Sequence, residues 1–137
     1  MRRLRLLVHD NASPVVHIYG QWKSFIGNAK DTSCPGPTVA FNICDRDGSI
    51  IGYDEASRLA TLNRPPIQLR TGCFCNPGAC QGALSLTDDD VIEQHASGHV
   101  CGDRRGIVCG KPTGAIRASF GKDSSWEDMD GKCNALA

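Results

Sequence analysis

Four short runs of β-branched and aromatic residues, interleaved with two stretches of helical period, restrict this chain to a mixed α and β fold. Pro-Val-Val-His-Ile-Tyr at 14–19 reads as a strand, and Thr-Val-Ala-Phe-Asn-Ile-Cys at 38–44 as a second. The polar, Gly- and Pro-bearing stretch at 27–37 between them reads as a loop. Asp47-Gly48 is a turn signal, and Ile50 and Ile51 resume an extended run beyond it, so a hairpin is expected over 38–51. At 53–63 the period changes. Ala56, Leu59, Ala60 and Asn63 share one helical face, and Asp54 and Glu55 lie where the N-terminal dipole favours acids. Pro65 and Pro66 stop that helix.

Ile-Gln-Leu-Arg at 67–70 reads as a short strand running into a glycine-rich loop at 71–82. Thr87 with Asp90 resembles a capping box, opening a helix with Val91, Ile92, His95, Ala96 and His99 on one stripe. After a second loop, 115–120 alternates, with Ile116, Ala118 and Phe120 one way and Arg117 and Ser119 the other. The expected fold is a small α+β or α/β sandwich: a short, mostly antiparallel sheet with helices on one face.

At 137 residues the chain suffices for one domain and hardly for two. Its 15 basic and 15 acidic side chains balance to zero net charge. A nucleic-acid binder or polybasic membrane protein would show a positive excess, so no nucleic-acid or membrane partner is expected. No apolar run approaches the roughly 18 residues of a membrane-spanning helix. Arg2, Arg3 and Arg5 imitate the basic start of a secretion signal, but the apolar stretch after them stops at His9 and Asp10. A cytoplasmic location is therefore expected. There, the eight cysteines point to metal binding or catalysis rather than to bridging.

The densest chemistry is Arg70-Thr-Gly-Cys-Phe-Cys-Asn-Pro-Gly-Ala-Cys80. Cys73, Cys75 and Cys80 lie on a loop with Gly72, Pro77 and Gly78, which leaves thiols partly exposed among free backbone N–H groups. Such a thiol could take sulfur, hold it as a persulfide and present it to another partner. Two other uses compete. The three cysteines could be buried and inert, or could join His95, His99 or Cys101 around zinc, although Cys-x-Cys-x4-Cys is not a common knuckle spacing. Spacing alone leaves all three open.

Longer strings carry more. Leu69-Arg-Thr-Gly-Cys-Phe-Cys-Asn-Pro-Gly-Ala-Cys-Gln81 resembles the cysteine-bearing loop of eukaryotic molybdenum cofactor sulfurases. Ala96-Ser-Gly-His-Val-Cys-Gly-Asp103 and Lys111-Pro-Thr-Gly-Ala-Ile-Arg-Ala-Ser-Phe-Gly121 resemble the two motifs that follow it there. Upstream, Ser13-Pro-Val-Val-His-Ile-Tyr19, Val39-Ala-Phe-Asn-Ile43 and Gly52-Tyr53 fit in the same order, so the resemblance covers nearly all of residues 8–121.

That resemblance implies a class V aminotransferase or cysteine desulfurase-like domain, of which 1–121 would be the C-terminal portion and 122–137 a divergent polar tail. In fold terms it implies the small C-terminal subdomain of the fold-type I pyridoxal-phosphate transferases. It implies a pyridoxal-phosphate-dependent sulfurtransferase. Sulfur from L-cysteine would pass through a cysteine persulfide to the molybdenum cofactor of xanthine dehydrogenase and aldehyde oxidase. Cys75 matches the nucleophile, with Cys73, Cys80 and His99 as candidate auxiliaries. Arg117 matches the arginine that grips the substrate carboxylate, with Arg70 beside it, and a bidentate guanidinium suits that task. A homodimer is implied for the full-length family. The Schiff-base lysine motif has no counterpart among Lys23, Lys30, Lys111, Lys122 and Lys132, so the chain by itself is expected to be an inactive fragment. The alternative is a non-catalytic thiol- or zinc-binding module that keeps the loop without the chemistry.

Overall fold

The computed structural model describes residues 7–20, 36–64, 66–125 and 127–128. The basic stretch at 2–5, residues 27–35 of the expected loop and the tail at 129–137 lie outside the described residues. The strands are β1 (Val16–Ile18), β2 (Thr38–Ile43), β3 (Arg70–Gly72), β4 (Ile107–Val108), β5 (Lys111–Pro112) and β6 (Ala115–Ser119). The helices are α1 (Tyr53–Leu62), α2 (Pro77–Leu84) and α3 (Asp88–Ala96). Four strands form one antiparallel sheet in the order β1-β2-β6-β3, and β4 and β5 pair as a separate ribbon. The class is α+β.

Alternation along β2 and β6 divides the sheet into two faces. Val39 pairs with Ala118 and Phe41 with Ile116 on one face. Val39, Phe41 and Ile116 are completely buried there, each side chain contributing about 1.5–3 kcal/mol by its removal from water. Helix α1 covers this face with Tyr53 and Ala56. Ala40 pairs with Arg117 and points the other way. Ala79, Cys80, Ala83 and Leu84 of α2 line a cavity with Ala40 and Arg117, so the helices do not all lie on one face as expected.

The sequence reading departs from the structure in six local places. In α1, Tyr53, Ala56 and Ala60 form the buried stripe, and Leu59, about a quarter-turn away, is 47% exposed. In α3, the stripe of Val91, Ile92 and His95 is exposed, and Gln94 is the buried residue. This helix is anchored by polar contacts rather than by an apolar seam. Gln94 Nε2 donates to the Pro112 carbonyl at 3.3 Å, and Lys111 pairs with Asp90 at 2.6 Å. The Thr87–Asp90 capping box forms as expected, with its two hydrogen bonds at 2.8 and 3.2 Å.

The expected strand at 67–70 begins only at Arg70 and runs on to Gly72, and the expected loop at 71–82 contains most of α2. The ribbon of β4 and β5 lies inside what reads as a loop, turning through Cys109 and Gly110 with φ of 51° and 74°. The hairpin over 38–51 is present, but its second arm shrinks to one bridge between Cys44 and Ile50.

Candidate functional site

Three elements converge on the cysteine string: the end of β3, a tight turn, and the start of α2. Gly72 and Gly114 press backbone on backbone, since a Cβ on Gly114 would fall 2.6 Å from the Gly72 Cα. That contact fixes where Cys73 leaves the sheet. The Asn76 amide then donates to the Cys73 carbonyl at 2.9 Å and closes a turn whose central residues, Phe74 and Cys75, have φ of 55° and 58°. Left-handed backbone costs a non-glycine residue about 1–2 kcal/mol, so the turn is held rather than preferred.

Two devices hold it. The Asn76 side chain accepts from the Ala79 amide and caps α2, with Pro77 at the first helical position. Cys73 is disulfide-bonded to Cys80, with their Cα atoms 5.3 Å apart. Two of the three loop cysteines are therefore used in bridging, contrary to the sequence expectation. The third, Cys75, is a free and exposed thiol at the tip of the turn.

Cys75 and Arg117 open into different cavities. Cys75 lines one of about 350 Å³, together with His95, His99 and Cys101. Arg117 lines another of about 430 Å³, together with Tyr19 and Phe74. Cys73 and Cys80 line both, so the disulfide stands between the proposed nucleophile and the proposed carboxylate grip. The Arg117 guanidinium carbon lies 5.1 Å from the Phe74 ring centroid, a cation–π arrangement, and its Nε is buried without a hydrogen-bond partner among the described residues. Arg70 is exposed and directly opposite Arg117 in the β3–β6 register.

His99, ambiguous in sequence, is held in place. Its Nδ1 lies 2.9 Å from Asp103 Oδ2. The Asp103 carboxylate also accepts from the Val100 amide at 3.2 Å and from the Arg105 amide at 3.0 Å. Burial acts to raise the Asp103 carboxyl, but the hydrogen bonds from Arg105, Val100 and His99 outweigh it and hold it at about 2. Sequence reasoning missed Asp103 and Phe74 as members of the site. The signal for Asp103 was its i+4 spacing from His99; for Phe74 there was none.

The zinc set is not assembled. Among the described residues no group of three or more His, Cys, Asp or Glu is arranged to hold a metal ion, and Cys73 and Cys80 are bonded to each other. Nor do the described residues fit pyridoxal phosphate. No lysine lines either cavity, and Lys111 is paired with Asp90 on α3. Among the described residues, no helix is long and apolar enough to cross a membrane.

Fold and site together define a small α+β module built on a disulfide-braced cysteine turn. Comparison with known proteins places it more narrowly. The chain is 45% identical over 129 residues to molybdenum cofactor sulfurase 2 of Culex quinquefasciatus, covering 94% of this chain and 16% of that protein. It is 48% identical over 124 residues to the molybdenum cofactor sulfurase of Oryza sativa subsp. japonica, covering 90% of this chain and 14% of that protein. With the Bos taurus protein of the same name the identity is 41% over 128 residues, covering 91% and 13%. No family model and no solved structure matches the chain. By sequence the chain matches a small part of the molybdenum cofactor sulfurases, spanning about a sixth of the curated relatives' length or less.

Proposed function

We propose that this chain supplies the sulfur-accepting part of a molybdenum cofactor sulfurase. In this reading residues 1–121 are the C-terminal portion of a cysteine desulfurase-like domain. Cys75 takes up sulfur that originates in L-cysteine, holds it as a persulfide and presents it for transfer to the molybdenum cofactor used by xanthine dehydrogenase and aldehyde oxidase. The release of sulfur from L-cysteine, for which the resemblance implies pyridoxal phosphate, is not work that the described residues do.

The observation that carries this reading is the setting of Cys75. A sulfur carrier needs a thiol that an incoming donor and an outgoing acceptor can both reach, on a backbone that keeps its position between the two visits. Cys75 is exposed at the tip of a left-handed turn, and the Cys73–Cys80 disulfide and the Asn76 cap fix the base of that turn. Arg117 lines the opposite cavity, and Arg70 lies across from it on the same sheet face, a pair of cations suited to a carboxylate.

Reconstitution tests the reading. The chain is mixed with a pyridoxal-phosphate cysteine desulfurase module and L-cysteine, alkylated, digested and mapped by mass spectrometry. One added sulfur atom is expected on the Cys75 peptide and is lost in Cys75→Ala. Sulfur on Cys80 instead, or on no cysteine, sinks it.

A further inference from the structure

A single-thiol carrier leaves part of the Cys75 cavity unexplained. Cys101 is a second free, exposed thiol lining the same cavity of about 350 Å³. Cys73 and Cys80 line it too, but they are bonded to each other and have no thiol to offer. His99 also lines it, with its ring anchored through Nδ1 on Asp103. An ionised carboxylate can only accept, so the proton of a neutral ring sits on Nδ1, and Nε2 is the nitrogen left to take another. The hold on Asp103 at about 2 keeps that carboxylate ionised at neutral pH.

We infer that Cys101 is the next station for sulfur held on Cys75, and that His99 moves the proton between the two thiols. The inference rests on the reading of Cys75 as a persulfide carrier. His99 Nε2 takes the proton of the Cys101 thiol. The resulting thiolate attacks the outer sulfur of the Cys75 persulfide. A sulfur–sulfur bond forms at Cys101 as the one at Cys75 breaks, and the Cys75 thiolate leaves with its electron pair and recovers the proton from His99. The sulfur changes place without net oxidation or reduction, so no further reagent is required. Delivery to the final acceptor would then start from Cys101, on the wall of the cavity rather than on the turn.

Inorganic polysulfide tests the relay on the full 137-residue chain with its disulfide intact. A limiting amount is added, and samples are alkylated at intervals and mapped by mass spectrometry. Sulfur is expected first on Cys75 and then on Cys101, the second rising as the first falls. Cys101→Ser should retain it on Cys75. Cys75→Ser should load Cys101 at least about tenfold more slowly, having lost the intramolecular donor. His99→Gln should load Cys75 normally and slow the transfer on the order of a hundredfold. If Cys75 takes no sulfur, the carrier reading fails and the relay with it. If Cys75 loads but Cys101 fills equally fast in Cys75→Ser, the relay alone is overturned. Transfer at an unchanged rate in His99→Gln overturns the role given to that residue.

Discussion

Arg70 and Arg117 lie directly opposite each other on adjoining antiparallel strands, so two guanidinium-bearing side chains share one face of the sheet. Like charges so placed cost about 0.2–1 kcal/mol. The Phe74 ring offsets part of this at Arg117, and a bound anion would offset more. Sulfate should therefore raise the melting temperature more than chloride at matched ionic strength. Because sulfate also strengthens apolar burial in general, the informative quantity is the difference from Arg70→Gln. That variant should lose the extra increment and, without anion, be more stable by about 0.2–1 kcal/mol. Equal sulfate responses in the two proteins would show that the pair holds no anion.

The backbone at Cys75 makes a second expectation. Its φ of 58° penalises every side chain, and a β-branched one most. Cys75→Gly relieves about 1–2 kcal/mol of that strain and gives back about 0.5–1 kcal/mol through the greater freedom of the unfolded chain. Urea unfolding should show it as neutral to slightly stabilised, and Cys75→Val as clearly destabilised. A Val variant as stable as the parent would contradict the left-handed turn.

The same thiol should lead in chemical labelling. With limiting iodoacetamide at neutral pH, the Cys75 peptide should be modified ahead of the other seven cysteines. Cys44, only 5% exposed and hydrogen-bonded through its backbone into the sheet region, should resist until the protein unfolds. Cys73 and Cys80 should label only after reduction. Labelling spread evenly over the chain would remove the special standing of Cys75.

Strands β2 and β6 were legible in the sequence because their signal is local: β-branched runs at 38–43 and 115–119 alternate with the period of the sheet that buries them. The capping box at Thr87 was equally legible. Helix α2 was not. Pro77, Gly78 and Gly82 are loop signals by composition, yet Asn76-Pro77 is also a cap followed by a favoured first helical residue, and that reading prevailed once a disulfide fixed Cys80. The inward faces of α1 and α3 were misjudged for a different reason. Periodicity finds an apolar stripe, but which stripe is buried depends on partners distant in sequence, such as Pro112 for Gln94. The cysteine string and Arg117 stood out in sequence. Their separation into two cavities depends on the sheet and could not be read from spacing.

Close packing at Gly114 supports a fourth expectation. A methyl group there would overlap the Gly72 backbone, and neither strand can yield without moving β3 away from β6. Gly114→Ala should cost about 1–3 kcal/mol, the usual range for overpacking. It should also displace Cys73, which follows Gly72, and so slow persulfide formation on Cys75. A variant of unchanged stability and unchanged sulfur loading would mean that the contact does not position the turn.

Acid should weaken the molecule through two carboxylates in particular. Hydrogen bonds from Lys111 and Thr87 lower Asp90 from 3.8 to about 2. Asp103 is also held at about 2, its hydrogen bonds from Arg105, Val100 and His99 outweighing burial. Both groups are more acidic folded than unfolded, so between the two values the unfolded chain binds more protons. Their contribution is thus fully present above about pH 4 and is lost as the pH falls through about 2. Urea midpoints measured from neutral pH downward should be flat with respect to these groups until about pH 4 and then fall. Asp103→Asn keeps the shape of the side chain but not its charge. It should be less stable at neutral pH and show a shallower fall in the acid window, because one of the two titrations is gone. Asp90→Asn should do the same while leaving sulfur movement between Cys75 and Cys101 untouched, since Asp90 pairs with Lys111 and is not among the residues lining their cavity. An acid fall of unchanged steepness in Asp103→Asn would show that the anchor of His99 is not the carboxylate responsible.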